Sequence, residues 1–295
     1  MQFFYMLPNI SGGTRLEGRS HLVAGLPSDE KFVAEALEVA AHMENAQIPV
    51  RIMAGCAVRI HCPNSAELHK VKMQRNIRDV DFATLSKYRK DIKESLRGLG
   101  YDFQLAMMGM DRDIYHNPKK SMTVDIFFDK INMCHVIDFR DRLQNDSPTL
   151  TLADLVLQKL QIVEINERDV KDLIVLLLDH EVGDSDRETI DASYIAKLLS
   201  EDWGFYHTST TNLRKTEDTA KSRYSDLLSS DALENIHSKI EQMLSRIEVY
   251  PKSLKWKMRQ KVGTKAIWYN EVEEKERGTL ADYLMKKNEE GRTRV

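Results

Sequence analysis

The spacing of apolar residues along the chain predicts strands in its first half and helices in its second. Before residue 150, short apolar runs alternate with turns and helical stretches, whereas from Thr151 the apolar period becomes helical. The predicted strands are 50–53, 77–83, 103–108, 121–128 and 135–139. Three helices are predicted in the same half: the first begins at Ser28 or Asp29, the second begins at about Ala57, and the third spans 86–99. The predicted later helices are 151–164, 167–181, about 188–202 and 216–250.

This order of elements predicts an α+β chain in three parts. Residues 1–28 contain four glycines and little periodicity, so we expect a loose N-terminal leader. Residues 29–150 form an α/β domain, and residues 151–295 form a helical portion. The helical portion ends in a highly charged segment in which basic residues surround Trp256, Trp268 and Tyr269.

Composition excludes few classes of protein. A hydrophobic fraction of 42% excludes a largely disordered chain, and a net charge of -3 means that any nucleic-acid contact must come from a local patch. No apolar run approaches the roughly 18–20 residues that span a bilayer, and the start lacks a signal-peptide pattern. The three cysteines form no disulfide framework. We therefore expect a soluble, cytoplasmic protein without membrane contact.

Two aspartates on one predicted strand are the strongest chemical signal. Asp79 and Asp81 stand two residues apart, so their side chains leave the same face of the strand. Like charges held this close repel each other unless a cation lies between them, and carboxylate oxygens suit Mg²⁺ or Mn²⁺. The alternative is a strand end that carries two solvated acids.

Two further features accompany this pair. Asp125 interrupts an otherwise apolar strand, where aspartate is disfavoured and requires a partner or a function. The alternative for Asp125 is an edge strand that turns it toward water. Gly55 and Cys56 form a turn between a strand and a helix, where backbone N–H groups can hold phosphate, although such turns are common without a ligand.

Together these residues resemble the core of the DNA polymerase β-like nucleotidyltransferase superfamily. The segments LADLVLQKLQ from Leu152 and ERDVKDL from Glu167 resemble the helices that follow the core in AbiEii-type enzymes, which include toxins of toxin–antitoxin pairs. The segments AGCAVRIHCP, RDVDFA, VDIFFD, MCH, LQKLQI and PKSLKWKMRQKVG resemble uncharacterised nucleotidyltransferase-like proteins over most of 30–270. The resemblance implies a small mixed-sheet core followed by helices.

The resemblance also implies a site. Asp79, Asp81 and Asp125 would be the catalytic residues and hold two metal ions, one gripping the triphosphate of an NTP such as ATP and one activating the attacking group. Gly55 and Cys56 would line the phosphates. Lys159 would reach the triphosphate, and Asp172, with Asp169 as a further candidate, would lie near the nucleotide or the acceptor.

Several of these residues have alternative explanations. Lys159 can instead extend to solvent from the flank of an apolar helix. For Asp169 we favour capping and a salt bridge with Arg168 or Lys171. For the basic and aromatic C-terminal segment we favour a solvated helix anchored by a tryptophan over RNA contact. A zinc site is disfavoured because its candidates lack ligand spacing: His61, Cys62, His69, Cys134 and His135.

The sequence therefore predicts an enzyme that transfers an NMP group from an NTP, with Mg²⁺ or Mn²⁺. The acceptor is a tRNA or other RNA, a protein or a small molecule, and a toxin role with an antitoxin partner is compatible with this activity. The alternative is a catalytically silent nucleotide- or RNA-binding regulatory protein of the same fold. Neither the preferred NTP nor the oligomeric state follows from the sequence.

Overall fold

The computed structural model describes residues 29–107 and 111–272. The predicted leader, 1–28, lies outside these residues, as does the end of the chain from 273. The described part begins with helix α1 (Asp29–Asn45). Helix α1 starts where Ser28 or Asp29 predicted a helix entry, and Phe32, Ala36 and Val39 on its inner face are buried in the core.

A five-stranded mixed sheet forms the centre of the first half. The strands lie in the order β1-β2-β5-β4-β3, and only the central pair, β2 and β5, is parallel. The parallel pairing places the equivalent ends of β2 and β5 side by side. The strands are β1 (Arg51–Met53), β2 (Val80–Thr84), β3 (Asp102–Met107), β4 (Arg112–Asn117) and β5 (Met122–Phe128).

Two helices and a small hairpin complete this half. Helix α2 follows β1 directly and begins three residues earlier than predicted, and a π-helical turn (Leu68–Lys72) lies within the following connection. Helix α3 ends before Gly100, whose φ of +84 suits a residue without a side chain. The elements are α2 (Ala54–His61), α3 (Arg89–Gly98), β6 (Lys130–Asn132) and β7 (Val136–Asp138).

Strand β4 was not predicted, because its buried polar residues interrupt the apolar pattern that indicates a strand. Arg112, Asp113 and Asn117 are all buried, although their sequence is typical of an exposed turn. Each has a partner that the local sequence does not reveal. Asp113 accepts two hydrogen bonds from Arg89 at 3.1 Å, and Arg112 donates to Asp125. Long-range ion pairing therefore offsets the cost of burying these charges.

The second half is helical, with two corrections to the predicted boundaries. The predicted helix over 188–202 begins as a strand, β9, and the predicted helix over 216–250 is two helices that meet near Tyr224. Asp202 and Ser229 cap the last two long helices. The elements are α4 (Leu152–Leu160), α5 (Glu167–Asp179), β8 (Glu181–Gly183), β9 (Thr189–Asp191), α6 (Ala192–Leu199), α7 (Trp203–Arg223), α8 (Ser230–Val249) and α9 (Leu254–Val262).

One hydrophobic core joins the two halves. It runs from α1 and the sheet through α4 and α5 to α8, so no solvent layer separates the strands from the later helices. The expected α+β class, a small mixed sheet followed by a helical portion, is confirmed. Among the helices within 29–272, none is both long enough and apolar enough to cross a membrane.

Candidate active site

The fold brings three aspartates together at one end of the parallel strand pair. Asp81 on β2 is the register partner of Asp125 on β5, and Asp79 lies two residues before Asp81 on the same face. One carboxylate oxygen from each of the three lies within 4.8 Å of the others. Strand β5 is central in the sheet, so the edge-strand alternative for Asp125 is wrong. Asp79 and Asp81 are half-buried rather than fully solvated.

Burial and mutual repulsion make this cluster electrostatically unfavourable without a cation. Burial raises the pKa of Asp81 well above its usual value, and the charges of Asp79 and Asp125 raise it further. Burial also raises the pKa of Asp125 to about 6, although Arg112 opposes this shift. The carboxyl groups therefore retain protons more readily than ordinary aspartates, and a divalent cation would replace those protons.

The donor set suits a divalent cation. Three carboxylates within reach of one another are the ligands that Mg²⁺ and Mn²⁺ prefer. Arg112 Nη2 donates a hydrogen bond to Asp125 Oδ2. The other oxygen, Asp125 Oδ1, is buried and accepts no hydrogen bond from the described parts of the chain. A buried oxygen without a donor is costly, and a metal ion would satisfy it.

The start of helix α2 lies beside the carboxylates. Met53, the last residue of β1, is the register partner of Asp81, so the chain enters α2 next to the triad. The N-cap residue Met53 makes no capping hydrogen bond, the backbone N–H of Ala54 donates to Oε1 of Gln158 at 3.1 Å, and Gly55 lines the cavity. Cys56 does not line it, because the buried thiol donates to the backbone oxygen of Asp79 at 3.7 Å. Any phosphate contact by Cys56 would therefore use its backbone N–H group.

Gly55 is required by a close approach rather than by its backbone angles. A Cβ atom at this position would lie 2.9 Å from Nη2 of Arg75, which is fixed on Asp172. We expect Gly55→Ala to destabilise the protein by about 1–3 kcal/mol, the usual cost of overpacking. Chemical denaturation would measure the change. Gly98→Ala is the matched control, since a Cβ there meets nothing within 4 Å; equal effects of the two substitutions would contradict this explanation.

A buried ionic network lies behind the cavity and includes two predicted nucleotide-binding residues. Asp172 is fully buried and accepts hydrogen bonds from His69 and from Nε and Nη2 of Arg75, at 2.9, 2.9 and 3.0 Å. Lys159 Nζ lies 2.7 Å from Asp172 and 2.9 Å from Asp169. Lys159 and Asp169 line the cavity, whereas Asp172 does not.

Two alternatives for these residues are wrong. Asp169 pairs with Lys159 and not with Arg168 or Lys171; the partner of Lys171 is Glu167, at 3.1 Å. Lys159 does not extend to solvent from a helix flank, because its ammonium group is buried between two carboxylates. The spacing of Asp169 and Asp172, one helical turn apart, places both acids on the face of α5 that meets α4.

The cavity at the triad has a volume of about 170 Å³ and adjoins a second one of about 230 Å³. Arg168 lines both. Two arginines of the first cavity, Arg112 and Arg168, were not among the predicted site residues. Sequence reasoning missed them because they come from different elements, β4 and α5, and no local pattern links them.

The remaining candidates lie elsewhere. His61 and His135 hydrogen-bond Thr149 and Thr208, at 2.6 and 2.9 Å, while His69 belongs to the buried network. Trp256 anchors α9 with 4% of its surface exposed, and most other α9 side chains are exposed. A tryptophan anchor on a solvated helix is therefore what the structure contains at this segment.

Comparison with known proteins shows only distant likeness. No protein-family model and no curated protein matches the chain. The solved structures that align with it include the antibiotic-resistance factor ANT(2'')-Ia (11% identity, TM-score 0.38), the lincosamide antibiotic adenylyltransferase LnuA (17%, 0.35) and a nucleotidyltransferase-like protein from Paracoccidioides brasiliensis (15%, 0.38). The alignments cover 58%, 50% and 70% of this chain and 95%, 95% and 94% of the others. Similarity at this level identifies no shared activity.

Proposed function

We propose that the protein is a metal-dependent nucleotidyltransferase that moves an NMP group from an NTP to an acceptor hydroxyl. The observation that carries the proposal is the convergence of Asp79, Asp81 and Asp125 within 4.8 Å beside the start of α2. The carboxylates supply cation ligands, and the backbone N–H groups of the helix start supply donors for phosphate oxygens. Few other chemistries use both features in one small cavity.

The chain's own residues would act as follows. Asp79, Asp81 and Asp125 would hold Mg²⁺ or Mn²⁺, which when bound neutralises charge on the triphosphate and favours in-line displacement. The acceptor oxygen would bond to the α-phosphorus, the bond from that phosphorus to the bridging oxygen would break, and pyrophosphate would leave. The hydroxyl proton would pass to a carboxylate of the triad. Gly55 would allow the phosphates to approach the start of α2.

The finer assignments belong to the same proposal. The AbiEii-type relationship and a toxin role with an antitoxin partner remain predictions from the resemblance of LADLVLQKLQ and ERDVKDL, and a cytoplasmic location remains a prediction from composition. A tRNA or other RNA, a protein hydroxyl and a small molecule remain the candidate acceptors. The division into a domain over 29–150 and a helical portion over 151–295 is likewise proposed.

One observation favours the alternative, a silent nucleotide-binding protein. Arg112 already neutralises Asp125 and occupies one of its oxygens, so it competes with a metal ion for the third ligand. A protein in which this ion pair persists would bind an NTP without turnover. This alternative predicts that the wild-type protein binds an NTP but releases no pyrophosphate.

A label-transfer assay tests the proposed function. The protein is incubated with each α-labelled NTP, Mg²⁺ or Mn²⁺, and total RNA plus cell extract, beside an Asp79→Ala/Asp81→Ala double variant. We expect metal-dependent transfer of label with release of pyrophosphate, and loss of both in the variant. Binding of NTP without pyrophosphate release from any mixture would support the silent alternative, and absence of NTP binding would overturn both.

A further inference from the structure

Four cationic side chains line the cavity at the triad, and three of them are already committed to carboxylates. Arg75 donates from Nε and Nη2 to Asp172, and Arg112 donates to Asp125. Lys159 lies between Asp169 and Asp172, at 2.9 and 2.7 Å. The positive charges of these three residues are therefore largely neutralised within the protein before any ligand arrives.

Arg168 differs from the other three. Its side chain is half-buried and forms no hydrogen bond or ion pair with any residue of 29–107 or 111–272. It lines both the triad cavity and its neighbour.

The side chain of Arg168 contributes little to the stability of the fold. It is the second residue of α5, where the positive end of the helix dipole disfavours a cation. Asn166 caps this end by accepting from the backbone N–H groups of Arg168 and Asp169, at 2.9 and 3.2 Å, so the arginine side chain is not needed there. A half-buried cation that makes no hydrogen bond or ion pair within 29–107 or 111–272 and lines a cavity points to a ligand that is an anion.

We infer that Arg168, rather than Lys159, holds the triphosphate of the NTP. This inference rests on the proposed function and names the cation of the site that receives the substrate's charge. A guanidinium group offers paired N–H donors that match two oxygens of a phosphate. Lys159 maintains the packing of α4 against α5 and contributes little net charge to the cavity.

Inorganic tripolyphosphate with Mg²⁺ tests the inference without requiring turnover, since it carries the charge of the substrate but no base or sugar. Calorimetry compares its affinity for the wild type, Arg168→Ala, Arg168→Lys and the control Arg214→Ala, which removes an exposed helical arginine outside the cavity. We expect a loss of about 10-fold or more in Arg168→Ala, equivalent to about 1.4 kcal/mol. Arg168→Lys should retain part of the affinity, and Arg214→Ala should match the wild type.

The melting temperature separates binding from folding. Arg168→Ala should keep or slightly raise it, because a cation leaves the start of a helix, whereas Lys159→Met should lower it by exposing the charges of two acids to each other. Wild-type affinity in Arg168→Ala would overturn the inference, as would lost binding in Lys159→Met at an unchanged melting temperature. If the wild type binds neither tripolyphosphate nor any NTP, the proposed function itself fails.

Discussion

We expect Asp81→Asn to abolish the proposed nucleotidyl transfer and, at neutral pH without metal, to raise the melting temperature of the protein. The loss of transfer should be at least about 100-fold, since even partners behind a metal ligand cost up to that much. The gain in stability follows from the cluster itself. Burial and the charges of Asp79 and Asp125 raise the pKa of Asp81, so its ionised form is unfavourable in the folded state. Asparagine keeps the shape and removes the charge.

The raised pKa of Asp81 determines how the stability gain of Asp81→Asn varies with pH. A carboxyl group whose pKa is higher in the folded state imposes no penalty below its unfolded value of about 3.9, and the full penalty only above its folded value. The gain in stability of Asp81→Asn should therefore vanish near pH 4 and grow as the pH rises toward the folded pKa of Asp81. The expected result is a rise in the melting temperature, at about 2–4 °C for each kcal/mol of stability gained.

Metal ions should make the wild type more stable than Asp81→Asn, the reverse of the order expected without metal. Mn²⁺ that binds the folded triad should raise the melting temperature of the wild type and leave Asp81→Asn almost unchanged. Asp226→Asn, at an exposed position, is the control and should behave as the wild type in every condition. A large drop in the melting temperature of Asp81→Asn would indicate that the carboxylate stabilises the fold, which would count against a role in metal binding.

The three aspartates could be predicted as site residues because short-range sequence patterns mark each of them. Asp79 and Asp81 share a face of one strand by the two-residue period alone, and Asp125 is conspicuous in an apolar strand. Their convergence in space could not be predicted from such patterns. The resemblance implied that the three carboxylates hold metal ions together, but their convergence depends on β2 and β5 being parallel neighbours, which periodicity does not reveal.

The cations of the site were not predictable in the same way. Whether a lysine or arginine is free or committed depends on acids far away in sequence, as with Arg75 and Asp172 or Arg112 and Asp125. Lys159 was the natural choice for a phosphate contact because it stands alone on an apolar helix. The packing of α4 against α5 gives it two carboxylate partners instead. Strand β4 was missed for the same reason, since its charges are paired only in three dimensions.

Asp172→Asn should destabilise the protein severely, by about 3–5 kcal/mol, the cost of breaking a buried ion pair from one side. Burial alone would raise the pKa of Asp172, but Arg75 and then Lys159 hold it well below its usual value. The substitution leaves the guanidinium group of Arg75 buried without its carboxylate. The melting temperature should fall on the order of 10 °C, and Asp218→Asn, an exposed helical aspartate, should leave it unchanged.

The pH profile and a double variant identify the cause of this destabilisation. A carboxyl group with a depressed pKa stabilises the folded state above its unfolded value of about 3.9, and this stabilisation is lost as the pH falls toward the folded value. The difference between the wild type and Asp172→Asn should thus be constant from pH 8 to 5 and narrow below about pH 4. Arg75→Met/Asp172→Asn should lose less stability than the two single changes together. Had Asp172 instead served the nucleotide directly, its substitution would weaken nucleotide binding while the melting temperature of the free protein stayed at the wild-type value.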